Sequence, residues 1–232
     1  MAEKEETMIG QTQKPVEEIV KDLEGKEKII IIGCGGCARI FRTGGDVEMR
    51  EMERVLSEKG KKIVAAIAVP PNEFTCYAPQ TRTRLARYGK EIEGCDAILM
   101  LCCGDGLQVV SEIVLEGDFK TAKPVYPGVD TMGLMGGGPA LFKEKCQQCG
   151  QCVVGMFAGI CPLTQCAKGL LNGPCGGTKN GKCETDAEKD CAWMKIYERM
   201  KVLGLLENMK EIIAPKDWSR KMSPRKIEVK TG

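Results

Sequence analysis

Two hydrophobic patterns alternate along the first 130 residues. Short apolar runs at 29–32, 63–69 and 96–101 read as buried strands. Between them, apolar positions recur three and four apart. Residues 46–58 put Met52, Val55 and Leu56 on one stripe, and Gly60 offers a natural stop. Residues 80–92 turn Leu85 and Ile92 inward, residues 107–115 give a third helix, and a short strand at 124–126 ends near Asp130. The order β-α-β-α-β-α-β predicts an α/β fold, a small Rossmann- or flavodoxin-like domain with a parallel sheet and helices on its faces.

The flanks carry different patterns. Residues 1–27 are polar, and an N-terminal arm with one short helix at 15–23, stopped at Gly25, is expected. The α/β domain spans 28–132, and the glycines at 136–138 before Pro139 predict a linker. Residues 133–191 form a cysteine-rich segment poor in apolar runs, which needs metal to fold. From 186 to about 213 the spacing of Ile196, Met200, Leu203 and Leu206 predicts a helix, so 192–232 reads as a C-terminal helix and basic tail. The tail is either a disordered end or an arm lying on a partner through Trp218 and Met222.

Composition narrows the chemistry. Fourteen cysteines occur among 232 residues, and histidine is absent. Without histidine there is no Ser–His–Asp triad, Cys–His pair, Rieske centre or mixed Cys/His zinc site. All-thiolate chemistry remains: iron–sulfur or Cys₄ zinc. A disulfide framework fits a short secreted chain, whereas residues 1–28 are charged and lack an apolar leader core. The expected setting is a reducing cytoplasm. No run of about 18 apolar residues suggests a membrane span. A net charge of +2 gives no case for nucleic acid.

The cysteines fall into two constellations. Cys34 and Cys37 follow the first strand, Cys76 the second, and Cys102 with Cys103 the third. Strand C-termini of a parallel sheet share one edge, so these five predict a cofactor site there. Cys95 starts its strand, about 20 Å from Cys102 at ~3.3 Å per residue, and reads as apolar filler. The run from Gly33 to Ala38 also matches a dinucleotide-binding GxGxxA loop, but the end of the next strand lacks the acidic residue that binds ribose. Asp105 and Asp130 lie near the same predicted edge, as ligand contacts or as cap and turn residues.

The second constellation is Cys146, Cys149, Cys152, Cys161, Cys166, Cys175, Cys183 and Cys191. Three thiols at i, i+3 and i+6 favour a [4Fe-4S] cluster. The Cys161-Pro162 finish is like that of ferredoxin runs, whose last cysteine often serves another site. Eight thiols suffice for two four-thiolate sites, the second holding zinc or iron–sulfur.

Cys161-Pro162 through Cys166 and Leu171-Asn172-Gly173-Pro174-Cys175-Gly176-Gly177, then Gly181 to Glu184 and Asp190 to Trp193, resemble the methylenetetrahydrofolate reductase C-terminal family. Its stand-alone members are MetV-type small subunits, and Gly33 to Cys37 with Thr43-Gly44-Gly45 resembles them too. The resemblance implies a partner: a MetF-type flavin-containing barrel, which holds FMN or FAD and folate. It also implies an accessory role, passing electrons to that flavin through one to three [4Fe-4S] clusters, with zinc in part. Ferredoxin or a heterodisulfide-reductase-like protein would be the donor. Two rival expectations stand beside this one: a structural zinc subunit bracing the partner through the helix near Trp193 and the basic tail, and a nucleotide-binding oxidoreductase using the Gly33–Ala38 loop.

Overall fold

The structure is a computed structural model describing residues 8–115, 119, 123–138 and 140–228. The chain divides into two compact units, 1–133 and 134–232.

The first unit is built on a four-stranded parallel sheet. Its strands are β2 (Lys28–Ile32), β3 (Lys62–Ile67), β4 (Ala97–Met100) and β5 (Val125–Pro127), in the order β3-β2-β4-β5. The strand ends align: Ile32 pairs with Ile67 and Met100, and Met100 with Pro127. β1 (Met8–Gln13), α1 (Val16–Asp22), α2 (Cys37–Ile40), α3 (Asp46–Glu58), α4 (Ala78–Leu85), α5 (Gly89–Gly94) and α6 (Gly104–Leu115) complete the unit.

The alternation of β2 explains the layering. Successive side chains point to opposite faces of a strand. Ile29 and Ile31 pack with Ile19 and Leu23 of the α1 region and with Met49, Met52 and Leu56 of α3. Ile30 and Ile32 pack with Leu85, Ile92, Val110 and Ile113 on the other face. Fully burying each such side chain contributes roughly 1.5–3 kcal/mol.

Several expectations need correction. From residue 8 on, the N-terminal flank is not a loose arm, because residues 8–13 form β1 and Ile19 and Leu23 are fully buried; residues 1–7 of the expected arm lie outside the described residues. The helix expected at 80–92 is broken: α4 passes into a 3₁₀ turn at Ala86–Tyr88 before α5. The glycine-rich stretch belongs to a strand, β6 (Val129–Gly137), where Gly136 pairs with Lys143 of the antiparallel β7 (Phe142–Glu144).

The second unit holds a short helix, α7 (Pro162–Gln165), a hairpin of β8 (Lys182–Cys183) and β9 (Asp186–Asp190), and α8 (Ala192–Val202). Here the helix expected from 186 begins only at Ala192, with Cys191 as its N-cap residue. This unit does have an apolar core. Phe157, Trp193, Ile196 and Met200 are buried together, and the Phe157 and Trp193 rings meet edge to face at 5.3 Å. The Trp193 indole N–H donates to the Leu170 carbonyl at 3.1 Å, so this ring serves the interior rather than a partner.

Candidate metal centres

The aligned strand ends of the parallel sheet place Cys34 two residues beyond β2 and Cys102 two beyond β4. Cys34, Cys102 and Cys103 are buried and Cys76 is half-buried. These thiols act on one another. Burial, then Asp105, Cys103 and Cys34, push the Cys76 thiol up to about 11. Burial, Cys103, Cys34 and Cys76 push Cys102 well above its ordinary range. For Cys103, burial raises the thiol against backbone hydrogen bonds at Asp105 and Gly106. Cys34 and Asp105 thus stand near enough to Cys76, Cys102 and Cys103 to oppose the ionisation of those three in a desolvated corner, an environment that a metal cation relieves.

Glycine and threonine hold this corner tight. A Cβ on Gly106 would stand 2.9 Å from Cys102 Sγ and 3.4 Å from Thr75 Cβ. The buried Thr75 hydroxyl donates to the Gly33 carbonyl at 2.8 Å. Cys37 opens α2 and is half-buried, and Cys95 is an interior filler whose Sγ lies 3.2 Å from the Ile92 carbonyl. Asp130 pairs with Lys14 at 3.0 Å, a structural role. The Gly33–Ala38 loop spends its glycines on its own chain. A side chain on Gly35 would overlap the Pro70 carbonyl, and one on Gly36 would meet the Phe74 ring at 2.5 Å. The helix that opens in this loop, α2, is a single turn, and the long helix between β2 and β3, α3, begins only at Asp46 rather than at the loop as in dinucleotide folds.

In the second unit the eight cysteines separate four and four. Cys146, Cys149, Cys152 and Cys161 line one cavity of about 220 Å³. Cys166, Cys175, Cys183 and Cys191 line another of only about 30 Å³. Cys161 thus joins the first set across an eight-residue gap. The second set is assembled from the end of α7 (Cys166), a loop (Cys175), β8 (Cys183) and the start of α8 (Cys191).

The sulfurs of the first set receive donors from the protein. The Gln148 N–H donates to Cys146 Sγ at 3.4 Å, and Lys216 Nζ to Cys149 Sγ at 3.0 Å. Burial works against ionisation of Cys149, but the Gln151 backbone and the Lys216 ammonium outweigh it, holding the thiol below its ordinary value. Cys183 in the second set is lowered too, by the Thr185 hydroxyl 3.1 Å away and the Thr185 backbone. Among the described residues no three Cys, Asp or Glu side chains already stand in the arrangement of a bound ion. The donor sets nonetheless fit thiolate-held groups: four sulfurs to a cavity, with hydrogen-bond donors aimed at sulfur.

With the thiols placed, the comparison with known families can be read against them. Residues 126–219 match the family model described as methylene-tetrahydrofolate reductase C terminal. All eight thiols of the second unit lie inside that match, as does Lys216, while the thiols at the parallel-sheet edge lie outside it. No curated protein and no solved structure matches the chain.

Sequence patterns missed three contributors: Lys216, Gln151 and Gly106 carry no motif of their own. The Asn172 side chain clasps Ile213 through both its N–H and C=O, at 2.9 Å each, fixing where the C-terminal segment departs. Over its described length the tail is not a loose end but folds back on its own unit. Arg220, Lys221 and Arg225 donate to Gly150, Gln147 and Gln148 on the chain's own thiol loop. No helix among the described residues is long and apolar enough to cross a membrane.

Proposed function

We propose that this chain is the thiolate–metal subunit of a methylenetetrahydrofolate-reductase-type complex. In that reading Cys146, Cys149, Cys152 and Cys161 hold a [4Fe-4S] cluster, and Cys166, Cys175, Cys183 and Cys191 hold one zinc ion. Cys34, Cys76, Cys102 and Cys103 hold a further cluster at the sheet edge. Such clusters supply one-electron, outer-sphere transfer when bound, and the route would end at the flavin of a MetF-type partner. The observation carrying this reading is the four-and-four division over cavities of unlike size. About 30 Å³ is the scale of one or two water-sized occupants, which suits a single ion, whereas about 220 Å³ takes a multi-atom group.

The chain's own residues aim N–H groups at sulfur; no general acid or base is required of them. Among the described residues, the surroundings of the Gly33–Ala38 loop give the nucleotide-binding alternative no support. The test is metal and acid-labile sulfide analysis of the pure chain prepared without oxygen. About four or eight irons with matching sulfide, plus one zinc, support the reading. Zinc without sulfide would replace it by a structural role. Loss of the zinc alone in Cys183→Ser would place that ion in the smaller cavity.

A further inference from the structure

Residues 216–225 form a basic strap over the loop that carries Cys146, Cys149 and Cys152. The Lys216 ammonium donates to Cys149 Sγ at 3.0 Å and to the Gln151 carbonyl. The Asp217 N–H donates to Gln151 Oε1 at 3.1 Å. Arg220 reaches the Gly150 carbonyl at 3.4 Å, Lys221 reaches Gln147 Oε1 at 3.1 Å, and Arg225 reaches the Gln148 carbonyl at 3.1 Å. Every residue from 147 to 151 thus receives a donor from the strap. The packing is close: a Cβ on Gly150 would stand 3.0 Å from Arg220 Cβ.

Lys216 differs from the other three cations. It is 8 % exposed, and it lines the cavity of the four thiols. Among the described residues no carboxylate lies within ion-pair distance of it. A buried ammonium is costly unless an anion answers it. The negative charge within reach belongs to the thiolates and to whatever they bind.

We propose that Lys216 is a positioning residue that raises the reduction potential of the centre held by Cys146, Cys149, Cys152 and Cys161. A cation touching one ligand sulfur from a desolvated site stabilises the reduced form more than the oxidised form, because the reduced form carries one more negative charge. The arrangement also links the C-terminal strap to the redox level of the loop. This inference rests on the loop holding an iron–sulfur cluster, as proposed above.

The experiment is a redox titration followed by electron paramagnetic resonance on the full chain, prepared without oxygen. Loss of a signal in Cys146→Ser assigns that signal to the loop. Lys216→Met should keep iron and sulfide while lowering the midpoint, with the reduction equilibrium weakened about tenfold, or about 59 mV for one electron. Lys216→Arg should stay nearer the wild type. Lys221→Gln, which removes a cation bonded to an amide rather than to sulfur, should shift the midpoint less. If Lys216→Met fails to retain iron, Lys216→Gln decides, since it keeps a neutral donor and removes the charge. An unmoved midpoint in the variant that holds iron overturns the inference, and so does an equal shift in Lys221→Gln. A wild-type loop without iron and sulfide overturns the cluster reading itself.

Discussion

The sheet-edge thiols of the first unit are where single atoms matter most. Gly106 leaves room for Cys102 Sγ, which a Cβ would approach to 2.9 Å. Gly106→Ala should therefore displace the buried thiol. In the reduced, metal-free chain, labelling of Cys102 by a thiol reagent, read by peptide mass spectrometry, should quicken severalfold. Gly94→Ala meets open space and should leave the rate unchanged. The same corner sets a pH dependence. The Cys76 thiol lies at about 11 in the folded chain, against 9.0 for an ordinary thiol, because of burial and then Asp105, Cys103 and Cys34. A raised folded value means the unfolded chain loses its proton first. The stability this thiol contributes is full below pH 9 and drains away as pH rises toward 11. The urea midpoint of the metal-free chain should fall across that window, and Cys76→Ala should flatten the fall.

At the scale of elements, α8 is the member on which the second unit closes. Its Trp193 is 3 % exposed, and Phe157 stands against it edge to face. Trp193→Ala should cost about 3–5 kcal/mol, the usual loss for removing a large buried aromatic. Denaturant unfolding of the metal-loaded chain, followed by helix signal, checks this; a shift below ~1 kcal/mol would mean that the metal sites alone hold the unit together. Elements with strong period and clear ends were legible from the pattern. The expected helix at 46–58 is α3 to the residue, with its Gly45 N–H held by the Glu48 carboxylate at 2.9 Å. Elements decided by tertiary pairing were not legible. Gly136 and Gly137 look like a linker but pair with Lys143 and Phe142 in a ladder. Residues 186–190 read as the start of a helix, yet they form β9, because Asp190 turns back to Lys182 at 2.7 Å. Local propensity carries no trace of such a return contact.

Over the whole molecule, the two units rest on different amounts of apolar burial. The first has a parallel sheet with large aliphatic side chains buried on both faces, while the second, among the described residues, has a small core around Phe157, Trp193, Ile196 and Met200, two short antiparallel pairings and eight thiols. Cysteine spacing made the thiol-rich segment legible. The four-and-four division was not, because Cys161 rejoins the first run from beyond a 3₁₀ turn at Val154–Phe157. The strap was illegible for the same reason: Lys216 lies 67 positions from the sulfur it touches. This asymmetry predicts how the chain comes apart. Treatment with a strong chelator under reducing, oxygen-free conditions removes the proposed metals without breaking the aliphatic core. Limited proteolysis of the full chain should then open cuts between 146 and 191 and in the released strap, while 28–115 stays protected. Uncleaved Cys146–Cys191 after complete metal loss would show that Phe157, Trp193, Ile196 and Met200 suffice to fold the second unit, and the thiols would then be passengers on a finished scaffold. Cuts appearing first at 28–115 would show instead that the sheet-edge thiols carry the metal on which the first unit depends.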